Sequence, residues 1–336
     1  MKKGVLLVNL GTPDSPEVSD VGKYLTEFLN DERVIDFPYL KRKLLVNGII
    51  VPFRKKASAK SYQELWTKDG SPLLIYSEGL TQKVANLMGE DYSVKLAMRY
   101  QSPSINGVLS EFEKEGVSEL IVLPLYPQYA SSSTGSTIQK VLETVQKWEN
   151  IPNVKSISSF FDHPKFIDCV VNRAKQFNLE EYDHVLFSYH GLPERHIKKS
   201  HDNGLPCDLK KCEVRFEPGM KYCYKAACYQ TTRLLVEKLG LKEGRYSLAF
   251  QSRLGKDPWI QPYSDVVVEE LAKKGCKKLL AFSAAFTADC LETIFEIGVE
   301  YQEIFEEHGG EKVTLVPSLN DGDDWAEAVV DIIKEA

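Results

Sequence analysis

Short apolar, β-branched runs alternate along the chain with amphipathic helical stretches. Eight apolar runs predict strands, at 4–10, 94–100, 119–126, 154–160, 184–190, 246–252, 277–286 and 311–319. Helical patterns separate most of them, for example at 137–149, 166–177, 228–240, 263–274, 290–308 and 324–335. Because strands alternate with helices, the pattern predicts an α/β protein whose parallel sheets are covered on both faces.

The two halves of the chain resemble each other. Residues 5–13 resemble residues 185–193, and residues 111–120 resemble residues 270–279. Gly-x-Pro turns also follow apolar strands by chance, but both pairs keep the same strand order. We therefore predict two similar Rossmann-like lobes, each a four-stranded parallel sheet flanked by helices, with a cleft between them.

The predicted boundaries are an N-terminal lobe at 1–162, a C-terminal lobe at 163–322, and a C-terminal helix at 323–336 that packs back on the first lobe. The first lobe includes a segment at 35–60 that mixes apolar residues with lysine and arginine. One interpretation of this segment is a core helix with a solvated basic face. The other is an exposed lip that touches anionic lipid or a hydrophobic anionic ligand.

Composition narrows the class of protein. The chain has 336 residues, of which 43% are apolar and 27% charged, so it can bury a large core. Its net charge of −6 argues against a chain-wide basic surface for nucleic acid. No apolar run approaches the roughly 18 residues of a membrane span, and the N-terminus lacks a signal-peptide pattern. Seven cysteines without secretory context predict a reducing compartment, the cytoplasm, with at most peripheral membrane contact.

His190 ends the predicted strand 184–190, directly before Gly191-Leu-Pro193. Open α/β sheets place their ligands at the carboxyl ends of strands. A neutral imidazole there offers a lone pair to a metal ion or a proton. A purely structural histidine is the alternative.

Acidic residues recur at 292, 296 and 300, after the segment Ala288-Asp-Cys-Leu-Glu-Thr293. One interpretation is a capping box in which Asp289 caps the helix and Glu292 reaches back. A solvated acidic face would also explain the repeat. The more specific hypothesis is that these carboxylates form a path for a metal cation, since hard and borderline divalent ions favour carboxylate oxygens.

Two further loops follow predicted strands. The segment from Leu125 to Gly135 holds two tyrosines and a run of hydroxyls, a turn that could bind an anion at a helix N-terminus. It is not a Walker loop, because the Gly-Lys-Ser/Thr ending is missing. Trp259 lies in a Pro-rich loop, which suits either a flat aromatic ligand or core packing.

Four cysteines form the series C-x4-C-x10-C-x4-C, at Cys207, Cys212, Cys223 and Cys228. Thiolates suit Zn²⁺ or an iron–sulfur cluster. The usual zinc ribbon has x2 spacings, so these spacings favour a [2Fe–2S] cluster, with Zn²⁺ as the alternative. The other cysteines, Cys169, Cys276 and Cys290, have the surroundings of small core residues.

Six motifs together resemble ferrochelatase, which inserts Fe²⁺ into a porphyrin in haem synthesis. They occur in the family's order over nearly the whole chain. The motifs are Val8-Asn-Leu-Gly-Thr-Pro13, Gly70-Ser-Pro-Leu73, Leu125-Tyr-Pro-Gln-Tyr129 with Ser133-Thr-Gly135, Ser188-Tyr-His-Gly-Leu-Pro193, Pro258-Trp259 and Ala288-Asp-Cys-Leu-Glu-Thr293.

The resemblance implies a lyase with Fe²⁺ as substrate, in which His190 and Glu292 face each other across the porphyrin centre. It implies that Glu296 and Glu300 relay metal or protons along the helix. It suggests that the lip at 35–60 covers the porphyrin and can touch a membrane, and a homodimer is a candidate assembly. The porphyrin contacts it suggests are Leu10, Tyr126 and Trp259, with Arg99 and Arg54 as polar contacts.

The sequence alone does not decide which porphyrin and which metal ion are the substrates. The Asn-Leu-Gly-Thr-Pro form is more similar to enzymes for protoporphyrin than for coproporphyrin. Ligand chemistry barely distinguishes Co²⁺ from Fe²⁺, so a cobalt chelatase is an alternative. A non-catalytic tetrapyrrole or metal carrier is the alternative from another class.

Overall fold

The computed structural model describes residues 2–201, 211–253, 255 and 257–336. Two compact units make up the chain. The first unit contains Met1–Tyr126, Ser131–Ser159 and Asp321–Ala336, and the second contains Pro127–Ala130 and Phe160–Asn320. The functional lobes expected at 1–162, 163–322 and 323–336 stay a prediction.

The first unit is built on a parallel four-stranded sheet with the order β2-β1-β3-β4. Residues 5 to 8, at the centre of β1, are fully buried, as expected for a central strand covered on both faces. The strands are β1 (Lys3–Gly11), β2 (Tyr92–Tyr100), β3 (Glu119–Pro124) and β4 (Asn153–Ser156).

Helices flank this sheet, and two π-helical segments interrupt them at Val46–Ile50 and Ser131–Gly135. The α-helices of the first unit are α1 (Val18–Leu29), α2 (Tyr39–Leu45), α3 (Val51–Leu65), α4 (Pro72–Met88), α5 (Ile105–Glu115), α6 (Ser136–Val145) and, at the end of the chain, α13 (Asp323–Lys334).

The second unit repeats this topology. Its parallel sheet has the order β6-β5-β7-β8, with β5 in the position that β1 holds in the first unit. The strands are β5 (His184–His190), β6 (Tyr246–Gln251), β7 (Lys278–Phe282) and β8 (Lys312–Leu315). The predicted fold class, with two similar four-stranded parallel sheets, is therefore confirmed.

A long π-helical segment, Leu291–Glu300, precedes α12 in this unit, where the sequence predicted one regular helix at 290–308. Short 3₁₀ turns lie at Leu179–Glu181 and Pro218–Met220. The α-helices are α7 (Pro164–Ala174), α8 (Glu194–Lys199), α9 (Lys211–Val214), α10 (Tyr224–Leu239), α11 (Ser264–Lys273) and α12 (Tyr301–Glu307).

A glycine follows the apolar core of the central strand in each unit, for a steric reason. A Cβ on Gly11 would lie 2.0 Å from the Tyr100 carbonyl oxygen, and a Cβ on Gly191 would lie 2.7 Å from the Gln251 carbonyl oxygen. Both distances are too short for any side chain. The Gly-x-Pro similarity between the halves thus reflects the same close backbone approach between neighbouring strands.

Among the described residues, no helix is long and apolar enough to cross a membrane.

Candidate active site

His190 lies at the carboxyl end of β5, with its ring centroid 6.4 Å from that of Phe286 and an angle of 60° between the ring planes. Its Nδ1 atom is 2.6 Å from the carbonyl oxygen of Gly191. Because a carbonyl only accepts hydrogen bonds, Nδ1 carries the hydrogen in the neutral ring and Nε2 holds the lone pair. The local backbone therefore selects the tautomer that can take up a proton or a metal ion at Nε2.

Glu296 is the most strongly held carboxylate of the π-helical segment. Its Oε1 atom accepts a hydrogen bond from the Ser252 backbone N–H at 2.9 Å, and its Oε2 atom accepts from the Ser252 hydroxyl at 2.5 Å. Gln251 Nε2 donates to Oε2 at 3.1 Å, and the Tyr301 hydroxyl lies 3.4 Å from Oε1. These four donors fix the position of the carboxylate.

Burial raises the pKa of the Glu296 carboxyl. The Ser252 hydrogen bond and the charge of His190 lower this pKa, while the charge of Glu292 raises it further. His190, Glu292 and Glu296 thus interact electrostatically within the second unit. The fold thus lets His190 interact with two carboxylates that lie more than a hundred positions further along the chain.

Ser252 holds Glu296 from a backbone conformation that serine rarely adopts, with φ of 66°. It follows directly after β6, whose last residue Gln251 pairs with His190 across the sheet. Gln251 Nε2 also donates to the backbone carbonyl of Glu292 at 2.9 Å. The ends of β5 and β6 therefore position both the histidine and the acidic segment.

Glu292 and Glu300 lie on either side of Glu296 in the same segment. The Glu292 carboxylate interacts electrostatically with the thiol of Cys290, whose pKa is raised first by burial and then by the Glu292 charge. Burial also raises the pKa of Glu300, and the charges of Glu296 and Glu303 add to this. π-helical segments occur frequently at functional sites, because their irregular backbone re-aims side chains.

The cap of this segment differs from the capping box considered from the sequence. Cys290, rather than Asp289, is the N-cap, and the reciprocal partner is Thr293, rather than Glu292. The backbone N–H of Cys290 donates to the Thr293 hydroxyl at 2.9 Å. Asp289 instead accepts hydrogen bonds from Thr293 and Asn320. The carboxylate of Glu292 is thus not used in capping.

Trp259 lies close to His190 in the second unit. It forms an isolated antiparallel bridge with Pro193, and its ring atom Cε3 would be 3.2 Å from a Cβ on Gly191. The indole is half-buried. The position is consistent with an aromatic wall beside the histidine.

In the first unit, Arg99 forms a buried ion pair that the sequence did not indicate. Its Nη2 atom is 2.6 Å from Asp31 Oδ2, and the two side chains are 13% and 6% exposed. The same carboxylate oxygen accepts hydrogen bonds from the hydroxyls of Tyr100 and Ser136. The first residue of α6 thus contacts the Asp31 carboxylate.

Leu10 is the second-last residue of β1, Tyr126 follows the carboxyl end of β3, and both are half-buried. The Tyr126 hydroxyl lies beside Thr137, and burial raises its pKa. Arg54 is exposed on α3. A cavity of about 730 Å³ in this unit is lined by Lys55, Lys43 and Arg99, among other residues. Of the proposed porphyrin contacts in this unit, Arg99 thus faces the cavity.

The lip at 35–60 folds as α2, a π-helical turn and most of α3. Five large apolar side chains on it are exposed, which the interpretation as a core helix does not predict. They are Tyr39, Leu40, Leu44, Ile49 and Phe53.

Three of the four cysteines in the predicted metal site lie in the described part, and Cys207 lies outside it. Cys212, Cys223 and Cys228 are buried. The Cys223 thiol hydrogen-bonds with Cys212 and is the first cause of its raised pKa, before burial. Cys228 interacts electrostatically with Cys212. In the described ranges, no group of three or more His, Cys, Asp or Glu side chains is arranged to hold a metal ion.

A buried cation lies beside the cysteines. Lys225 is 5% exposed, and its ammonium is 2.6 Å from Glu213 Oε1. Its charge lowers the pKa of the Cys212 thiol, against the larger effects of Cys223 and burial. Anionic sulfur ligands would gain from this positive charge.

Comparison with known proteins places this fold among chelatase structures. SirB from Bacillus subtilis, solved with Fe³⁺, is similar with a TM-score of 0.55 and 13% identity, over 100% of this chain and 95% of SirB. CbiX, described as the terminal enzyme for siroheme biosynthesis in denitrifying bacteria, gives 0.51 and 12%, over 99% of each chain. At these identities the similarity concerns the fold alone.

The sequence comparisons are more specific. The ferrochelatase family model matches residues 2–336. A ferrochelatase of Legionella pneumophila (strain Lens) is 44% identical over 338 residues, covering 100% of this chain and 99% of the relative. One from Coxiella burnetii (strain Dugway 5J108-111) is 44% identical over 337 residues, covering 100% and 94%. The chain therefore belongs to the ferrochelatase family.

Proposed function

We propose that the chain is an enzyme of haem biosynthesis that inserts Fe²⁺ into protoporphyrin IX to form protohaem. Two N–H bonds of the porphyrin break, four nitrogens bind the metal, and two protons leave, with no change in iron oxidation state. The family match over the whole chain carries the proposal. The grouping of His190 with Glu292 and Glu296 supports it.

His190 is the proposed proton acceptor and metal contact. Its Nδ1–H is committed to the Gly191 carbonyl, so Nε2 is the atom that takes up a pyrrole proton or touches iron. The Glu292 carboxylate does not cap the helical segment, and its proposed role is to accept a proton or to deliver iron to the porphyrin. Glu296 and Glu300 continue this acidic series, and carboxylate oxygens suit Fe²⁺ as well as protons.

Porphyrin contacts are proposed in each unit. In the first unit they are Leu10, Tyr126 and Arg99, with Arg54 at the lip. In the second unit the indole of Trp259 provides a flat apolar face beside His190. Apolar and aromatic side chains suit the macrocycle, whereas arginine suits its carboxylate substituents.

Turnover measured for each combination of two metals and two porphyrins tests the proposal. Fe²⁺ or Co²⁺ is mixed anaerobically with protoporphyrin or coproporphyrin, and product formation is followed by absorption spectra. We expect fastest turnover with Fe²⁺ and protoporphyrin. Faster turnover with coproporphyrin or with Co²⁺ would support the corresponding alternative, and porphyrin binding without turnover would indicate a carrier.

The role of His190 is tested by His190→Ala. We expect iron insertion to be lost while porphyrin still quenches tryptophan fluorescence, because the ring contacts remain. His184→Ala is the matched control, since His184 lies at the opposite end of β5. Normal turnover in His190→Ala would refute the assignment.

We further propose that Cys207, Cys212, Cys223 and Cys228 hold a [2Fe–2S] cluster, with Zn²⁺ as the alternative. The spacing of the four cysteines supports this proposal, as do the burial of three of the thiols and the charge of Lys225, which lowers the pKa of the Cys212 thiol. A cluster would supply a one-electron couple and tie the loop to α10. Red-brown protein with equal iron and sulfide is expected, whereas colourless protein with one zinc per chain would favour Zn²⁺.

We propose that the protein is cytoplasmic and that its lip makes a peripheral contact with an anionic membrane surface. The exposed apolar side chains of the lip support this contact. Leu40 is 74% and Phe53 80% exposed, and lysines and arginines flank both. Leu40→Ser with Phe53→Ser should abolish sedimentation with phosphatidylglycerol vesicles. Leu142→Ser, at an exposed apolar residue of α6, is the control that should sediment normally. Light scattering on the same samples would register a homodimer.

A further inference from the structure

Asn320 is the last residue of the second unit, and its backbone has a positive φ of 52°. Asparagine tolerates this conformation better than most residues that carry a side chain. The Asn320 backbone N–H donates to the Thr287 carbonyl at 2.8 Å. The residue is therefore held beside the turn that precedes the acidic segment Leu291–Glu300.

The side chain of Asn320 pairs reciprocally with Asp289. Its Nδ2 atom donates to Asp289 Oδ2 at 2.8 Å, and its Oδ1 atom accepts the Asp289 backbone N–H at 2.8 Å. Because the backbone N–H can only donate and the carboxylate can only accept, the amide has one orientation that satisfies both contacts. One side chain thus fixes Asp289 at its backbone and at its carboxylate.

Asp289 connects Asn320 to Thr293. The Asp289 side chain is buried, and its Oδ1 atom accepts from the Thr293 hydroxyl at 3.1 Å and from the Ser318 backbone N–H at 3.2 Å. A buried carboxylate depends on such donors, because burial removes its hydration. Loss of the Asn320 amide would therefore leave Asp289 without one of its donors.

Asp289 and Thr293 lie on either side of Glu292 along the chain. Thr293 is also the residue whose side chain completes the cap of the acidic segment. From the end of β6, Gln251 Nε2 donates to the Glu292 backbone carbonyl at 2.9 Å. The backbone of Glu292 is thus held by β6 and, through its neighbours, by Asn320, whereas the Glu292 carboxylate takes no part in capping.

We propose that Asn320 is a positioning residue, which acts through Asp289 and Thr293 to set the position of the Glu292 carboxylate during metal insertion. The inference rests on the proposed role of Glu292. With the backbone held on both sides, only rotation of the Glu292 side chain moves its carboxylate, so the carboxylate returns to the same position in each turnover.

Variants of the Asn320–Asp289 pair test the proposal. Asn320→Gly removes the amide but keeps the positive φ, which glycine adopts freely. Asn320→Asp places a second carboxyl group against Asp289. The exchange variant, Asp289→Asn with Asn320→Asp, interchanges the two groups, so that the amide at position 289 donates to the carboxylate at position 320. The oxygen at 289 still accepts from Thr293 and Ser318, and the side chain at 320 still accepts the backbone N–H of 289.

Asn178→Gly is the matched control. Asn178 also uses its side-chain oxygen to accept a backbone N–H, that of Glu180 at 3.3 Å, in a 3₁₀ turn of the same unit. For every variant, kcat and porphyrin KM are measured with Fe²⁺, and the urea midpoint is measured by circular dichroism. Asn320→Gly is also measured in the Glu292→Gln background.

In Asn320→Gly we expect about a tenfold lower kcat with porphyrin KM little changed, since small misplacements of a catalytic group are costly. Asn320→Asp should lose at least as much, and the exchange variant should regain most of the loss. In the Glu292→Gln background, Asn320→Gly should lower kcat little further, because residues that act as a unit have non-additive effects. Asn178→Gly should lower only the urea midpoint.

A purely structural role would lower the urea midpoint of Asn320→Gly while kcat stays at the wild-type value, and this result would overturn the proposal. An undiminished loss of kcat in the Glu292→Gln background would overturn it as well, because Asn320 would then act elsewhere. So would an exchange variant that regains the urea midpoint but not kcat. If Asn320→Asp does not fold, or if Glu292→Gln has no measurable turnover, Asn320→Gly and the exchange variant decide.

Failure of the proposed function gives a different result. If the wild type inserts no metal, the proposed function is wrong, and this inference is wrong with it. If Glu292→Gln turns over normally, the role of Glu292 is wrong. Wild-type turnover with a loss in Glu292→Gln but none in Asn320→Gly overturns the positioning role alone.

Discussion

The ion pair between Asp31 and Arg99 provides the most quantitative prediction for the first unit. In Asp31→Asn the amide keeps one oxygen that can accept from Tyr100 and Ser136, but the guanidinium of Arg99 loses its counter-charge. Both side chains are nearly buried. The amide nitrogen would then face the Arg33 N–H, which donates to Asp31 Oδ1 at 2.7 Å, so the whole range of about 3–5 kcal/mol for removing one partner of a buried pair is expected.

The loss is measured as the shift of the urea unfolding midpoint, followed by circular dichroism, with the slope held common to the variants. Arg99→Met in the Asp31→Asn background completes a double-mutant cycle. Because no unpaired charge remains in the double variant, it should recover about 1–2 kcal/mol relative to the sum of the single losses. A loss in Asp31→Asn below about 1 kcal/mol, the value of exposed pairs, would refute the reasoning.

Three other perturbations follow from single contacts. Gly191→Ala should unfold earlier in urea than wild type and lose insertion activity, because its Cβ would lie 2.7 Å from a carbonyl oxygen; Gly48→Ala, with open space at its Cβ and no positive φ, is the comparison for the steric effect on the urea midpoint. Burial lowers the pKa of His184 below 6.5, so the unfolded chain binds the proton more tightly, and stability is present above pH 6.5 and falls as pH drops through the window below it. In His184→Gln the urea midpoint should therefore depend less on pH between pH 7 and 5 than in wild type. An unchanged dependence of the midpoint on pH would contradict this. Ser252→Gly keeps the positive φ but removes one donor to Glu296, and kcat should fall about tenfold, for a charged hydrogen bond worth about 1.5 kcal/mol.

The central strands could be predicted because each contains a continuous apolar run, such as residues 120–123 in β3. A strand buried on both faces needs apolar side chains in both directions, and this signal is local. All eight predicted strands are present, and the shared strand order of the two units agrees with the similarity between the halves. Their ends were less predictable. The run 277–286 extends beyond β7 because apolar residues continue into the following turn.

The site was predictable only where one residue ends a strand. His190 stands out because it follows an apolar run and precedes a glycine. Asp31 gave no such signal, since its partner Arg99 lies 68 positions away. The π-helical backbone of 291–300 has no distinct pattern of apolar positions. Tyr224, the first residue of α10, donates its hydroxyl hydrogen to the His190 backbone carbonyl at 2.8 Å, a contact that no local sequence pattern encodes.

Ser252 illustrates a signal that was present but incomplete. The pair Gln251-Ser252 interrupts an apolar strand with two polar residues, which indicates a site at the strand end. The sequence does not show that Ser252 has a positive φ, and this conformation directs its N–H and hydroxyl to the same carboxylate. Identifying Glu296 as the acceptor requires the tertiary structure.

The contacts of the two carboxylates predict a division of labour between them. Glu296 receives hydrogen bonds from Ser252 and Gln251, so moving it would break several bonds at once, whereas the Glu292 carboxylate interacts electrostatically with the neighbouring thiol of Cys290. We therefore expect Glu292 to be the carboxylate that moves during turnover and Glu296 to be the fixed one.

Glu292→Gln and Glu296→Gln distinguish these roles. In Glu296→Gln the amide nitrogen must face a donor from Ser252 or Gln251, which should displace the segment and lower both activity and the urea midpoint. In Glu292→Gln the midpoint should stay near that of wild type while kcat falls, because no buried donor loses its acceptor. If Glu292→Gln is the less stable variant, or if Glu296→Gln affects only kcat, the assignment of fixed and mobile carboxylates is reversed.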